Sequence, residues 1–130
     1  MKRPRPSETE LQILSVLWEA GPLPVRAIRE ALPDGKDRAY TTVLTLLQIM
    51  EKKGLVGHTA AGQAHVYHPL IKPQQVLRPL MRDLVRNAFG GSPARALQCL
   101  LDGRQLDRDE LAELERLVTE ARAKSREKWP

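Results

Sequence analysis

The chain has 130 residues, which predicts one compact domain with an extension and excludes two large independent cores. Its 21 Lys and Arg against 16 Asp and Glu give a net charge of +5, which by itself favours a polyanionic partner only weakly. A single cysteine excludes an intrachain disulfide, and no apolar run resembles a signal segment or reaches the ~20 residues that span a bilayer. We therefore expect a cytoplasmic protein without membrane insertion.

Two short amphipathic helices are predicted in the first third of the chain. Ser7-Glu8-Thr9-Glu10 matches a capping box, so the first helix should begin there and end at Gly21-Pro22. Pro24 can open a second helix, which the run Pro33–Lys36 should end. The preceding tail, with Lys2, Arg3 and Arg5, is either a disordered start, which is favoured, or a minor-groove arm.

The third predicted helix, Ala39–Lys53, has an apolar and a polar side. Winding at 100° per residue gathers the apolar residues Tyr40, Val43, Leu46, Leu47 and Met50 on one flank. Thr41, Thr45, Gln48 and Lys52 lie on the other flank, with groups that hydrogen-bond to phosphates and base edges in a major groove. The pattern predicts a DNA-reading helix. In the core of the domain formed by the three helices and the hairpin, Trp18 and Tyr40 are expected to be the largest side chains.

A β-hairpin is predicted directly after this helix. Gly54 should end the helix in a left-handed conformation, with Lys52-Lys53 in its last turn. The β-prone runs Leu55–Thr59 and His65–His68 then flank the turn-like connection Ala60–Gln63. The predicted fold class is therefore mainly α, with an N-terminal winged helix-turn-helix of three helices plus a β-hairpin wing in residues 1–70.

Three histidines in this hairpin raise the question of a metal site. His58, His65 and His68 have no Cys or acidic companion in the wing, so contacts to phosphate or plain surface exposure are favoured over metal binding. No metal and no cofactor is expected.

Residues 71–130 predict only helices, which we interpret as a helical dimerisation region. Pro79 either kinks the first of these helices or begins its regular part. Ser92-Pro93 should begin a second helix that runs to about Leu101, with Cys99 buried as a small hydrophobe, and Asp107 should cap the last helix. Three short amphipathic helices do not bury their apolar faces alone, so a second copy of the chain is expected. The predicted dimerisation residues are Leu77, Leu80, Met81, Leu84, Leu97, Leu100, Leu111, Leu114 and Val118.

The assembled pattern resembles the penicillinase-repressor family (BlaI/MecI/CopY) of bacterial winged-helix repressors. The resemblance covers nearly the whole chain and is carried by segments that follow the family's order. These segments are Glu10–Trp18, Thr41–Leu47, Lys52–Val56, Val66-Tyr67, Phe89–Ser92 and Leu106–Leu111.

This resemblance implies a homodimer that binds a pseudo-palindromic double-stranded DNA operator and blocks transcription. Thr42 and Thr45 match the family's paired threonines, and Lys52-Lys53 match its basic helix end. Arg38-Ala39 stand where well-known members have Trp-Ser, and Ile49 stands where an Arg is frequent, so base preference does not carry over at those positions. The residues and the resemblance together give these DNA-binding candidates: Arg38, Thr41, Thr42, Thr45, Gln48, Lys52, Lys53, His58, Gln63 and His65.

A membrane sensor protease is a further partner that the resemblance implies. In the family, such a protease cuts the dimerisation region, and the matching segment here surrounds Cys99-Leu100, without the well-known Asn-Phe bond. The Cys-x-Cys hook of the copper-sensing branch is absent from the sequence.

Two other classes of function compete with the repressor. A winged helix can serve as a protein-interaction module without DNA binding, in which case duplex binding with a steep salt dependence would be missing. An enzyme is not expected, because the sequence offers no catalytic triad, phosphate-binding glycine loop or metal-ligand cluster.

Overall fold

The computed structural model describes residues 5–103 and 105–128, without the side chains of Lys36, Glu127 and Lys128. Lys2 and Arg3 of the basic tail lie outside the described residues. Within these ranges the chain forms six α-helices: α1 Glu8–Ala20, α2 Val25–Ala31, α3 Tyr40–Lys52, α4 Pro73–Ala88, α5 Pro93–Gly103 and α6 Arg108–Lys128. Three strands, β1 Leu23–Pro24, β2 Val56–Ala61 and β3 Ala64–Pro69, form one antiparallel sheet. The predicted mainly α winged-helix fold with C-terminal helices is confirmed.

Helix α1 begins at the predicted capping box. The Glu10 backbone N–H donates to Ser7 Oγ at 3.2 Å, and the Ser7 N–H donates to Glu10 Oε1 at 2.9 Å. Gly21, with φ +84°, follows the last turn. Both ends of α1 therefore lie where the local sequence signals placed them.

The connection between α2 and α3 is a single 3₁₀ turn, Gly35–Asp37, packed tightly against α2. A Cβ atom on Gly35 would lie 1.9 Å from the Arg29 carbonyl oxygen. Only a glycine fits this close approach, so Gly35 allows the chain to turn from α2 into α3.

The sheet has the order β1-β3-β2, and its first strand was not predicted. Leu23 pairs with Tyr67 and Pro24 with Val66, so Pro24 lies in a strand and caps α2 without being its first helical residue. The hairpin connection is also shorter than predicted. Strand β2 continues to Ala61, which leaves Gly62-Gln63 as a two-residue turn, with Gly62 at φ +65°.

The core lies between α1, α2, α3 and the sheet. Its buried side chains are Ile13, Leu14, Leu17, Val25, Ile28, Leu32, Val43, Leu47, Met50, Leu55, Val56, Tyr67, Ile71 and Val76. The prediction that Tyr40 belongs to this core is wrong, because Tyr40 is 48% exposed and Tyr67 is buried. Helical side chains lean toward the helix N-terminus. Because Tyr40 is the first residue of α3, its ring points beyond the end of the helix and not onto the core.

The described residues divide into two compact units, with the division after Met81 in α4. The first unit includes buried Ile71 and Val76, and the Trp18 indole N–H donates to the Ile71 carbonyl at 2.9 Å. The predicted boundary at residue 70, between the winged-helix domain and the helical dimerisation region, stays a prediction. Helix α4 is continuous from Pro73, so Pro79 lies inside it and the alternative that the regular helix begins at Pro79 is wrong.

The second unit contains the rest of α4 with α5 and α6. Ser92 Oγ accepts from the Arg95 N–H at 3.2 Å and Asp107 Oδ1 from the Glu110 N–H at 2.8 Å, which confirms both predicted caps. None of its described residues is buried, and the predicted burial of Cys99 is wrong for the single chain because this unit has no enclosed core. Among the residues that the structure describes, no helix combines the length and apolar character needed to cross a bilayer.

Candidate nucleic-acid interface

Helix α3 separates a fully buried side from an exposed polar side. Val43, Leu47 and Met50 are 0% exposed, since they pack into the core one and two turns apart. Thr41, Thr42, Thr45, Gln48 and Lys52 are all exposed. The two-sided helix predicted from the sequence is therefore present, and a continuous polar row is available to a partner.

The hydroxyl of Thr45 has a defined orientation on this row. Thr45 Oγ1 donates to the Thr41 backbone carbonyl at 2.8 Å. Because this bond uses the hydroxyl hydrogen, the oxygen lone pairs remain as acceptors for an incoming donor. In a major groove, the amino groups of adenine and cytosine are such donors.

Ile49 is an exposed apolar residue on the same helix, 42% accessible, that sequence reasoning did not include among the reading residues. Helical periodicity already places Ile49 outside the buried stripe of α3, so the sequence could have indicated that this residue is exposed. An aliphatic side chain here can contact the C5-methyl group of thymine.

The two lysines at the end of α3 have different surroundings. Lys52 is exposed and forms no ion pair within the part of the chain that the structure describes. Lys53 donates from Nζ to both carboxylate oxygens of Glu10, at 2.9 and 3.1 Å. The ammonium group of Lys53, a DNA-binding candidate, is thus engaged by the first turn of α1.

Glu10 is a buried carboxylate, with its side chain 3% exposed. Burial alone would raise the pKa of Glu10, but the hydrogen bonds from Ser7 and Lys53 and the Lys53 charge lower that pKa below its ordinary value. The Glu10–Lys53 pair therefore joins the start of α1 to the end of α3 as an ionised pair.

Arg38, just before α3, is held by three contacts. Its Nε donates to Asp34 Oδ2 at 2.8 Å, its Nη2 to Thr9 Oγ1 at 3.3 Å, and its carbonyl accepts from Arg29 Nε at 2.5 Å. The Arg38 hydrogen bond and charge lower the pKa of Asp34. The guanidinium is thus positioned at the N-terminal end of the polar row, with further N–H groups left to donate.

Strand alternation places three aromatic residues of the hairpin on the face near α3. His58 pairs with Tyr67, and His65 lies two residues before Tyr67 on β3, so all three share one face. The His58 and His65 rings stack with centroids 4.6 Å apart and planes 6° apart. Glu51 of α3 reaches across to His58 Nδ1.

These residues line a cleft of ≈ 540 Å³ between α3 and the wing. Its walls are Gln48, Glu51, Lys52, His58, His65 and Tyr67. Burial, together with the nearby charge of Glu51, raises the pKa of Tyr67, so its phenol remains a hydrogen-bond donor at neutral pH. Among the described residues, no group of three or more His, Cys, Asp or Glu side chains is arranged to hold a metal ion.

The structure brings most of the predicted DNA-binding residues to one surface of the first unit. Gln48, Lys52, His58 and His65 share the cleft, and the threonines continue the α3 row. Gln63 lies exposed in the turn of the hairpin. Glu51 and Tyr67 also line the cleft but were not predicted, because their roles depend on contacts between α3 and the wing.

Comparison with known proteins identifies the family to which these features belong. The penicillinase repressor family model matches residues 6–120. This chain belongs to the penicillinase repressor family. A transcriptional regulator BlaI of Mycobacterium tuberculosis is 34% identical over 124 residues, which cover 94% of this chain and 88% of that protein.

More distant relatives extend over similar lengths. A penicillinase repressor of Bacillus licheniformis is 23% identical over 126 residues, covering 97% of this chain and 98% of that protein. An uncharacterized 16.5 kDa protein of Latilactobacillus sakei is 22% identical over 120 residues, 92% of this chain and 82% of that protein. Membership of the penicillinase repressor family places the chain among transcriptional repressors.

Proposed function

We propose that this family member represses transcription by binding a pseudo-palindromic operator as a homodimer. The observation that carries the proposal is the exposed row Thr41–Thr45–Gln48–Lys52 on α3, whose reverse side is locked into the core. A helix fixed in this way can enter a major groove with its polar side toward the bases. The wing and Arg38 then lie at the two borders of that row, where backbone phosphates are expected.

The second unit supports the homodimer. Leu84, Leu100, Leu111 and Val118 are between 41% and 59% exposed in the single chain. Leu97, Leu100, Leu106 and Leu114 also line an apolar cleft of ≈ 450 Å³. Burying this surface against a second copy would supply the core that the unit lacks, and a dimer would match two operator half-sites.

The proposal extends to the cellular setting. A cytoplasmic repressor would meet its operator directly, and relief of repression by a membrane sensor protease would require an accessible cleavage segment. Cys99 and Leu100 are both exposed on α5. Their exposure supports, for the free chain, the position that the family resemblance suggested for a cut.

Selection of bound duplexes from a random oligonucleotide pool tests the DNA-binding part of this proposal. We expect a recovered sequence with two related half-sites, bound with an affinity that falls steeply as salt rises. Absence of salt-dependent duplex binding would instead favour the protein-interaction module.

Substitutions on α3 separate base reading from phosphate binding. Thr45→Ala and Gln48→Ala should reduce discrimination between the selected and a random duplex by about 1–3 kcal/mol, because they remove base-edge partners. Lys52→Ala should weaken binding to both duplexes similarly and lower the slope of log affinity against log salt by about 1, because it removes one phosphate contact. Fluorescence anisotropy over a salt series measures both effects.

Two residues of α6 provide matched controls. Thr119 Oγ1 donates to the Glu115 carbonyl at 2.9 Å, the same bond within a helix that Thr45 makes, and Lys124 is an exposed lysine. Thr119→Ala and Lys124→Ala should leave discrimination and the salt slope unchanged. Equal losses on both duplexes for Thr45→Ala, Gln48→Ala and Lys52→Ala would refute the base-reading role.

A further inference from the structure

The cleft between α3 and the wing holds a cluster of ionisable groups beside the reading row. Strand β2 contributes His58, strand β3 contributes His65 and Tyr67, and α3 contributes Glu51 and Lys52. His68 is placed on the other face of the hairpin, near Gly57, by the alternation of β3. The cluster is therefore confined to the surface that carries the proposed DNA contacts.

The charges in this cluster depend on one another. The Glu51 carboxylate lies against His58 Nδ1, so a proton on His58 would meet a negative charge. The His65 ring lies flat against His58, with the centroids 4.6 Å apart, so a second proton on His65 would place two cations face to face. Lys52 in the same cleft would add to this repulsion.

A backbone phosphate in the cleft would offset this repulsion, because its negative charge compensates the second cation. Imidazole is the side chain that ordinarily exchanges its proton near neutral pH, so a modest change in local charge is enough to change its occupancy. We propose that duplex binding draws a proton from solvent onto His65, so that DNA affinity rises as the pH falls. This inference rests on the proposed DNA binding and adds a regulatory property to the same surface.

The direction and size of the expected change in DNA affinity with pH follow from proton linkage. If the bound state carries more protons than the free state, the dissociation constant decreases as pH decreases, by at most about tenfold per pH unit for each proton taken up. Above the pH at which both states have lost the proton, affinity should become independent of pH.

Dissociation constants for a random-sequence duplex, measured by anisotropy from about pH 6 to about pH 8.5 at constant ionic strength, test the proposal. We expect tighter binding at lower pH for the unmodified protein and a flatter profile for His65→Gln. The matched control His68→Gln removes an imidazole from the other face of the hairpin and should retain the original profile.

Glu51→Gln should change the pH profile in the direction opposite to His65→Gln. Without the carboxylate, a proton on His58 has no compensating charge until a phosphate arrives, so duplex binding should take up more protons and the pH profile should become steeper. In NMR titrations, the midpoint of the His65 ring signals should move to higher pH when the duplex is added, which a purely structural role of His65 would not produce.

The possible failures are distinguishable. A random duplex that binds with steep salt dependence but with a pH-independent affinity overturns the proton uptake and leaves DNA binding intact. The same conclusion follows if His65→Gln and His68→Gln have equal profiles. No duplex binding at any pH overturns both this inference and the proposed function.

Discussion

Lys52 and Lys53 are neighbours in the sequence, yet their ammonium groups meet different surroundings. Lys52 faces solvent beside Gln48, whereas Lys53 is bonded to the buried carboxylate of Glu10. A buried carboxylate that loses its cation remains desolvated and costs free energy. At the scale of single residues, Lys52 is therefore available for the proposed phosphate contact, whereas Lys53 attaches α3 to α1.

Glu10→Gln should destabilise the first unit by about 1–3 kcal/mol at neutral pH, because it removes the charge that Lys53 meets and retains the side-chain shape. The folded pKa of Glu10 is lowered, so its stabilising contribution is present above its ordinary value of 4.5 and is lost as pH falls through the folded pKa. The difference between the two proteins in urea unfolding should therefore be largest near neutrality and shrink below about pH 4.

Glu19→Gln, an exposed change on the same helix, is the control and should alter stability little at either pH. An undiminished difference between Glu10→Gln and the parent protein in acid would show that the loss arises from packing and not from ionisation.

Among the structural elements, the turn between α2 and α3 leads directly into the helix that carries the proposed DNA contacts. The 3₁₀ turn brings Gly35 against the Arg29 carbonyl, and Arg29 in turn donates to the Arg38 carbonyl just before α3 begins. The start of α3 is thereby tied to α2 by a hydrogen bond from the Arg29 side chain to the Arg38 backbone carbonyl. A change in this turn should act on both stability and duplex binding.

Gly35→Ala should destabilise the first unit by about 1–3 kcal/mol or more, since its Cβ would overlap a backbone oxygen that has no side-chain freedom to move. Gly62→Ala is the comparison: a Cβ added at Gly62 would have no atom within 4 Å apart from its immediate chain neighbours, so only the positive φ causes strain, and the cost should be about 1 kcal/mol. Thermal unfolding followed by circular dichroism ranks the two. A smaller loss for Gly35→Ala than for Gly62→Ala would contradict the packing described for the turn.

Local signals explain which elements could be predicted from the sequence. The capping residues Ser7, Ser92 and Asp107 act on backbone N–H groups three residues away, so sequence alone located those helix starts. Strand β1 has two residues, one of them Pro24, and it exists only because it pairs with β3 far along the chain.

In the candidate site as well, features set by local sequence could be predicted, whereas contacts between distant residues could not. The polar row of α3 follows from helical periodicity and was predicted. The Lys53–Glu10 pair joins residues 43 apart in sequence, and the cleft groups Glu51 and Tyr67 meet only when the wing folds beside α3. Such contacts have no periodic signature, so they required the structure.

At the scale of the whole molecule, the two units differ in how completely they bury their apolar residues. The first has a closed core, whereas the described residues of the second leave leucines exposed on α4, α5 and α6. A group of exposed apolar side chains on neighbouring helices commonly marks an interface between proteins. The proposed homodimer thus gives the second unit a function that its single-chain structure lacks.

Leu100→Glu should dissociate the proposed dimer, because Leu100 is 59% exposed, lines the apolar cleft of the second unit and would place a charge in the interface. Operator affinity should fall at least about tenfold, since two linked half-sites become one. Light scattering after size exclusion measures the assembly, and anisotropy measures binding.

Gln98→Glu adds a carboxylate to the same helix without removing a leucine, and it should leave the dimer intact. A Leu100→Glu protein that remains dimeric would remove this residue from the proposed interface.

The bond from Trp18 to the Ile71 carbonyl gives the first unit a built-in optical reporter. The sequence has two tryptophans, and the other, Trp129, lies outside the described residues. Replacing Trp129 by Phe would leave a single indole, whose emission depends on the 2.9 Å bond to the backbone just before α4 begins. Fluorescence could then follow this junction without an attached dye, during unfolding or while the protein engages a partner.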